Sequence, residues 1–435
     1  MICTEILTSD VMPIGGYYGP VASYTTDRYK GVTFTSENFL QDKYFEMIVD
    51  CGLNLITTVD CDYTDDPVNF LKTMDLCEKH GIRIFVKDRD LETIEGEEAL
   101  LKRMEAYSHY KCFAGIRVID EPDTTTFPWN TDAPKRELGY YCKVADKLNA
   151  IDGLLGYVNL FPYYAWMYKN EGKTFADYEN YVNTYSDGVP SLKLLSWDHY
   201  VFDAFNPFYD VYFQNMSIIR ELAKKRGVPF WAFVQNGGKR CRNPVTHEVH
   251  YYTEGQHRWN VNTSLAMGAK GIQYYPLVEP HFCALDDEGK FIPNHEGLIS
   301  ADGNETIWFQ WAKVSNAQIQ AVDEYLMPAE HVGILPVGDV AKEHTANVDC
   351  VLSGTFRELQ SVEAPMGALV GCFDYKGKTA LYVVNYAQEE SQKITLHFNK
   401  NCEFETVCSK GKEKGTGECC TFAVDKGGAK LVLVD

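Results

Sequence analysis

The sequence predicts a (β/α)8 barrel followed by a small antiparallel β-sandwich. Three observations carry that prediction. Strand-like and helix-like runs alternate eight times across residues 11–325. After Met327 the helical spacing gives way to short alternating runs separated by turn residues. No Gly-rich phosphate loop follows the first strand, as an open doubly wound sheet would usually carry.

The elements follow in order. The first strand is Val11–Gly16, and Ser36–Val49 is a helix with Ser36 as its N-cap. Its apolar residues Phe39, Leu40, Tyr44, Phe45 and Ile48 recur at helical spacing. Leu53–Asp60 is the second strand. The next helix opens at Pro67, a favoured first-turn residue, and closes at Gly81. Strand Ile82–Asp88 and helix Glu97–Tyr107 make the third unit, and strand Ile116–Glu121 and helix Pro134–Leu148 the fourth. The remaining strands are Leu154–Leu160, Leu192–Trp197, Pro229–Val234 and Gly271–Tyr275. Their helices are Phe175–Tyr185, Pro207–Lys225, Glu254–Met267 and Glu305–Tyr325. The barrel is thus expected over residues 1–327 and the sandwich over 328–435. The sandwich runs are Ala368–Phe373, Thr379–Asn385, Lys393–Phe398, Cys402–Val407, Cys419–Ala423 and Lys430–Val434, with no helix between them. Nothing in the second unit looks catalytic, and with no low-complexity linker the two units are expected to pack directly.

Composition excludes some partners. The formal charge is −20, which repels nucleic acid and anionic membranes. No basic stretch followed by an apolar run opens the chain, and no apolar run reaches spanning length. The 14 cysteines are scattered without a CxxC pair, as in a protein kept reduced, so a cytoplasmic protein without cofactor is expected. The 28 Tyr and 7 Trp suit a protein that stacks on sugar rings, although aromatic cores also use them. Nothing in the sequence fixes the oligomeric state.

Chemistry is expected where the strands end, because in a parallel barrel those ends and their loops line one mouth. The most informative segment is Gly115-Ile116-Arg117-Val118-Ile119-Asp120-Glu121-Pro122. A β-branched run ends in two adjacent carboxylates, and Pro122 stops the strand. The bland alternative is that Asp120 and Glu121 only cap the next loop. The other strand ends offer Tyr17, Asp60, Asp88, Asn159, Trp197, Asp198, His199, Tyr200, Trp231, Gln235, Tyr274 and Glu279. Carboxylates amid aromatic platforms suit glycoside hydrolysis, in which one acid protonates the leaving oxygen and a second group acts at the anomeric carbon. Tyr and Trp would stack on sugar faces, while Asn, Gln, His and Asp would take hydroxyls. His199, His247 and His250 stand near acids but form no HExxH or facial triad, so no metal is expected.

The eight-unit plan, the acid after the fourth strand, the C-terminal sandwich and the stretch Gly268–Tyr275 resemble the clan of (β/α)8 glycoside hydrolases that includes β-galactosidase-like enzymes. That resemblance implies Glu121 as general acid/base. The chain departs from the clan at two places: Asp120 stands where Asn is usual, and Val234-Gln235-Asn236 stands where a nucleophilic Glu is usual. Asp120-Glu121 also resembles the Asp-Glu pair of substrate-assisted β-N-acetylhexosaminidases. In that case Asp120 would orient a substrate acetamido group that replaces the protein nucleophile. Among protein carboxylates, Asp198 and Glu279 lead as the second group, ahead of Asp60 and Asp88, and a two-carboxylate mechanism is slightly preferred. A non-catalytic carbohydrate-binding barrel is the rival of another class.

Overall fold

A computed structural model describes residues 3–29, 32–122, 137–164, 174–202, 208–236, 241–242, 249–250, 253–279, 283–285, 291–293 and 297–435. Eight parallel strands close into a barrel. They are β1 (Ile14–Tyr17), β2 (Leu55–Asp62), β3 (Arg83–Lys87), β4 (Phe113–Asp120), β5 (Gly156–Leu160), β6 (Leu195–Trp197), β7 (Phe230–Gln235) and β8 (Ile272–Tyr275). Each pairs with its sequence neighbours, and β1 closes the ring by pairing with both β8 and β2. The strands are almost wholly buried, as strands covered on both faces must be.

Among the described residues, eight helices that each follow a barrel strand form the outer layer: α1 (Asp42–Asp50), α2 (Pro67–His80), α3 (Glu97–Met104), α4 (Leu138–Asn149), α5 (Phe175–Gly188), α6 (Tyr209–Arg226), α7 (Glu254–Ala266) and α8 (Ile307–Leu326). Local chemistry sets several ends. Asp66 caps α2 by accepting from the Asn69 N–H at 3.1 Å, Pro67 opens the first turn, and Gly81 closes it in the left-handed region. Thr174 and Thr253 build capping boxes at α5 and α7. None of the described helices is long and apolar enough to cross a membrane.

The structure corrects some boundaries. The first strand begins at Ile14, after Pro13, and Val11 is exposed. Ser36 is not the cap of α1, which follows Gln41. Its hydroxyl accepts from Tyr24 N–H and donates to Glu37 C=O, which holds 36–40 as a connection. The expected starts at Pro134 and Pro207 lie outside the described residues.

Seven antiparallel strands follow: β9 (Glu330–Val337), β10 (Leu359–Glu363), β11 (Ala368–Tyr375), β12 (Lys378–Asn385), β13 (Gln392–Cys408), β14 (Gly411–Val424) and β15 (Ala429–Val434). The sequence reading omitted β9 and β10, and a short helix, α9 (Asp339–His344), stands where none was expected. The runs Lys393–Phe398 and Cys402–Val407 are one strand that bulges between His397 and Cys402. Before the bulge β13 pairs with β10, and after it with β15. The long β13–β14 hairpin thereby passes from one layer of the sandwich to the other. Ile394 and Leu396 from one layer and Val370, Leu381 and Val432 from the other fill its core.

The sandwich rests on α7. The Tyr382 hydroxyl donates to Asn262 Oδ1 at 2.6 Å, and Asn262 Nδ2 donates to Gly427 C=O at 2.9 Å.

One glycine has a direct bearing on the mouth. In β4, Gly115 has φ 141°, and a Cβ there would lie 2.3 Å from Leu155 C=O. It marks a slip in register between β3 and β4. Gly115→Ala adds both backbone strain and a backbone clash, so a loss of at least ~2 kcal/mol is expected by urea denaturation. A change within ~0.5 kcal/mol would contradict this reading of β4.

Candidate active site

The site grows from β4. In register with β5, Arg117 faces Tyr157, Ile119 faces Val158 and Asp120 faces Asn159, leaving Val118 as an extra residue. Strict alternation would put Arg117 and Asp120 on opposite faces. The extra residue resets the alternation, so both turn into the barrel. Glu121 then takes a left-handed conformation, φ 48°, while its N–H still donates to Asn159 C=O at 2.8 Å. A non-glycine residue in that region is strained, a state common at functional sites. The turn lets Glu121 reach Asp198, which follows β6, and the two carboxyl groups are hydrogen-bonded.

Asn159 organises the aspartates. Its Nδ2 donates to Asp120 Oδ1 at 3.1 Å and to Asp198 Oδ1 at 3.0 Å. Below them the Arg117 guanidinium donates to Thr58 C=O at 3.0 Å and to the Tyr17 hydroxyl at 3.3 Å. Tyr17 in turn bonds Asp120. The cluster therefore holds three carboxyls against one buried cation.

The electrostatics follow from this arrangement. Burial pushes Asp120 up, opposed by Arg117 and by its bonds from Asn159 and Tyr17. Burial, then the charge of Asp120, pushes Asp198 up to about 8. The bond with Glu121 acts the other way on Asp198, favouring its ionised form. A bond that favours a carboxylate is one donated to it, and the only donor Glu121 owns is its carboxylic acid O–H. The two carboxyls thus share one proton.

Aromatic rings border the cluster. Tyr275 meets Tyr18 at 5.7 Å and Tyr200 at 5.5 Å between ring centroids, and Tyr17 meets Tyr18 at 5.6 Å. The Tyr18 phenol is pushed up by burial and then by Asp60, which places Asp60 beside this rim.

The structure thus brings together Asp120, Glu121, Asp198, Asn159, Tyr17 and Tyr200 from the sequence candidates, with Asp60 nearby. Others go elsewhere. Glu279 is buried and accepts from Ala301 N–H at 3.0 Å. Asp88 lies in the outer layer, bound by Arg103 and by the Tyr107 hydroxyl. Trp197 and His199 pack on Tyr212 of α6, and burial drives His199 down to about 3, so it is neutral. Trp231 fills the barrel interior against Phe85 and Tyr157. Tyr274 points outward, its hydroxyl donating to Asn316 Oδ1 at 2.7 Å. Gln235 braces the loop after β6 by accepting from Phe202 N–H at 3.0 Å.

Sequence reasoning gave Arg117 no role, and at the ends of the first and eighth strands it preferred Tyr17 and Tyr274 to their neighbours Tyr18 and Tyr275. A charged residue inside a buried β-branched run was a signal for Arg117. Strand parity was the signal for Tyr275, since Gln273 faces inward and Tyr274 therefore cannot. Among the described residues no group of three His, Cys, Asp or Glu is placed to hold a metal ion. The side chains of His247 and His250 lie outside the described residues, as do the loops at 123–136, 165–173, 203–207 and 280–282.

No protein-family model and no curated protein matches the chain. Among solved structures it is similar to a β-galactosidase from the psychrophilic Marinomonas ef1, at 14% identity over 74% of this chain and 63% of that one, with TM-score 0.44. It is similar to a β-glucuronidase from Bifidobacterium dentium, at 12% identity over 71% of this chain and 46% of that one, with TM-score 0.44. A glucosidase from Croceicoccus marinus aligns at 10% identity over 100% of this chain and 98% of its own, also with TM-score 0.44.

The raised Asp198 has a measurable consequence. Unfolded, it titrates near 3.8; folded, at about 8. Between those values the native state holds a proton that the unfolded chain has released. The stability this contributes is full below the unfolded value and is lost as pH rises through the folded one. Wild type should therefore lose stability relative to Asp198→Asn between about pH 5 and pH 8. Urea denaturation across that range checks it, and a difference independent of pH would count against a raised Asp198.

Proposed function

We propose that the protein is a glycoside hydrolase in which Glu121 is the general acid/base. The observation that carries this reading is the carboxyl cluster at the end of β4. Glu121, turned by its left-handed backbone, is hydrogen-bonded to Asp198 beside Asp120 under a rim of tyrosines. A carboxyl pair that shares a proton in a buried mouth keeps that proton at neutral pH, and Glu121 would pass it to the leaving oxygen. Tyr200 and Tyr275 offer apolar rings to the sugar faces. Asp198 is the second carboxylate from across the mouth.

The contact between Glu121 and Asp198 bears on the group that acts at the anomeric carbon. Paired catalytic carboxyls stand about 5–5.5 Å apart for retention and ~6.5–9.5 Å for inversion. A direct hydrogen bond is shorter than either, and it suits Asp198 as the proton partner of Glu121 better than as nucleophile. Asp120 faces the same interior, held by Asn159 and Tyr17. That favours a second reading, a substrate-assisted β-N-acetylhexosaminidase. The acetamido oxygen of the substrate would attack the anomeric carbon, and Asp120 would hold the acetamido N–H.

A panel of nitrophenyl glycosides, including N-acetylated and galacto-, gluco- and fuco-configured sugars, tests both readings. Glu121→Gln should lower turnover of unactivated oligosaccharides by roughly a hundredfold or more, and of nitrophenyl glycosides much less, because a good leaving group needs little acid help. Activity confined to 2-acetamido sugars would single out substrate assistance. Saturable sugar binding with no hydrolysis of any glycoside would replace the enzyme with a binding barrel.

A further inference from the structure

The barrel floor beneath the carboxyl cluster is polar where such barrels are usually filled by branched apolar side chains. Thr57, Gln273, Tyr157, Ser196 and Asn159 are all at most 2% exposed. The Thr57 hydroxyl donates to Gln273 Oε1 at 2.9 Å, and Gln273 Nε2 donates to the Tyr157 hydroxyl at 2.5 Å. Tyr157 and Ser196 are 2.9 Å apart, and Ser196 donates to Asn159 Oδ1 at 3.0 Å. Because the Ser196 hydrogen is committed to Asn159, Tyr157 must be the donor to Ser196.

Every donor therefore points the same way, from β2 through β8, β5 and β6 to Asn159. The last link leaves no freedom: Asn159 Oδ1 is taken by Ser196, so both Nδ2 hydrogens face the aspartates. The route needs an open path between β2 and β8, and Gly15 of β1 provides it, since a Cβ there would lie 2.9 Å from Gln273 Cγ.

We propose that Thr57, Gln273, Tyr157 and Ser196 form a one-way hydrogen-bond chain that locks the Asn159 amide with one N–H on each of Asp120 and Asp198, making them positioning residues of the carboxyl cluster. Donors in series polarise one another, so the chain strengthens the final pair of bonds. None of these four residues reaches the mouth, and the inference rests on the proposed function only for its activity readout.

Other groups act on the same aspartates and remain in place when the chain is cut. They are the Glu121 carboxyl, the Arg117 guanidinium, and the phenols of Tyr17, Tyr18, Tyr178, Tyr200 and Tyr275. Their contribution is common to wild type and variant.

The test is a carboxyl titration by NMR of the full chain labelled with 13C at aspartate carboxyls. Ser196→Ala frees Asn159 Oδ1, so the amide can turn away from the ionised aspartates. A carboxylate held by two or three donors sits about two pH units low, so losing one donor should move the high-titrating aspartate up by about one unit. Tyr157→Phe removes one link upstream and should move it in the same direction by less. It decides the matter if Ser196→Ala does not fold. No movement in a folded variant overturns the chain, because a merely space-filling Ser196 or Tyr157 would leave the titration unchanged. Where hydrolysis is present, the basic limb of its pH profile should move with the titration. A titration that moves in a protein hydrolysing no glycoside leaves the chain standing and removes the glycosidase reading.

Discussion

One extra residue in the fourth barrel strand sets the rest of the site. Without the bulge at Val118, Arg117 and Asp120 would face opposite sides of the sheet. Either the cation would leave the barrel or the carboxylate would point into the helix layer. With it, the guanidinium lies under the carboxylate it supports, and the next residue turns through a left-handed conformation toward Asp198. Gly115 permits the slip on the other edge of the same strand. The strand that carries the carboxyl pair is thus irregular on both edges, and its irregularities are where side chains are re-aimed.

The second constraint is electrostatic. Three carboxyls in a buried mouth cannot all ionise beside one guanidinium. Asn159 and Tyr17 bond Asp120, and its charge and burial push Asp198 up. The Glu121–Asp198 contact then keeps a proton between the two groups. Hydrogen-bond donors within the barrel hold this arrangement, so the geometry of the carboxyl cluster and the barrel core are the same structure. An apolar floor would give a more ordinary barrel, but Asn159 would then be free to turn.

Much of this was legible in the sequence. The alternation of runs gave all eight strand–helix units, because buried parallel strands and amphipathic helices differ in period and length. Asp120 and Glu121 stood out because paired carboxylates end a β-branched run. The side of the strand each residue faces was harder to read. Trp197 and Tyr274 lie at strand ends but face the helices, whereas their neighbours Ser196 and Tyr275 face the barrel. Parity could have been read from Gln273, but the bulge at Val118 could not, since it depends on the register with β5. Glu279 looked equal to Asp198 in sequence, but its carboxylate accepts from Ala301 N–H, a tertiary contact that sequence does not show. In the sandwich, β13 read as two strands because its bulge breaks the alternation at 398–402.

The central claim is that Glu121 delivers a proton to a glycosidic oxygen at the end of β4. The most direct measurement is a crystal structure at neutral pH with a monosaccharide product bound. The account predicts the anomeric hydroxyl within hydrogen-bond distance of the Glu121 carboxyl, with the ring bordered by Tyr200 and Tyr275. A sugar seated in the mouth with its anomeric carbon turned away from Glu121 and beside another carboxylate would contradict it.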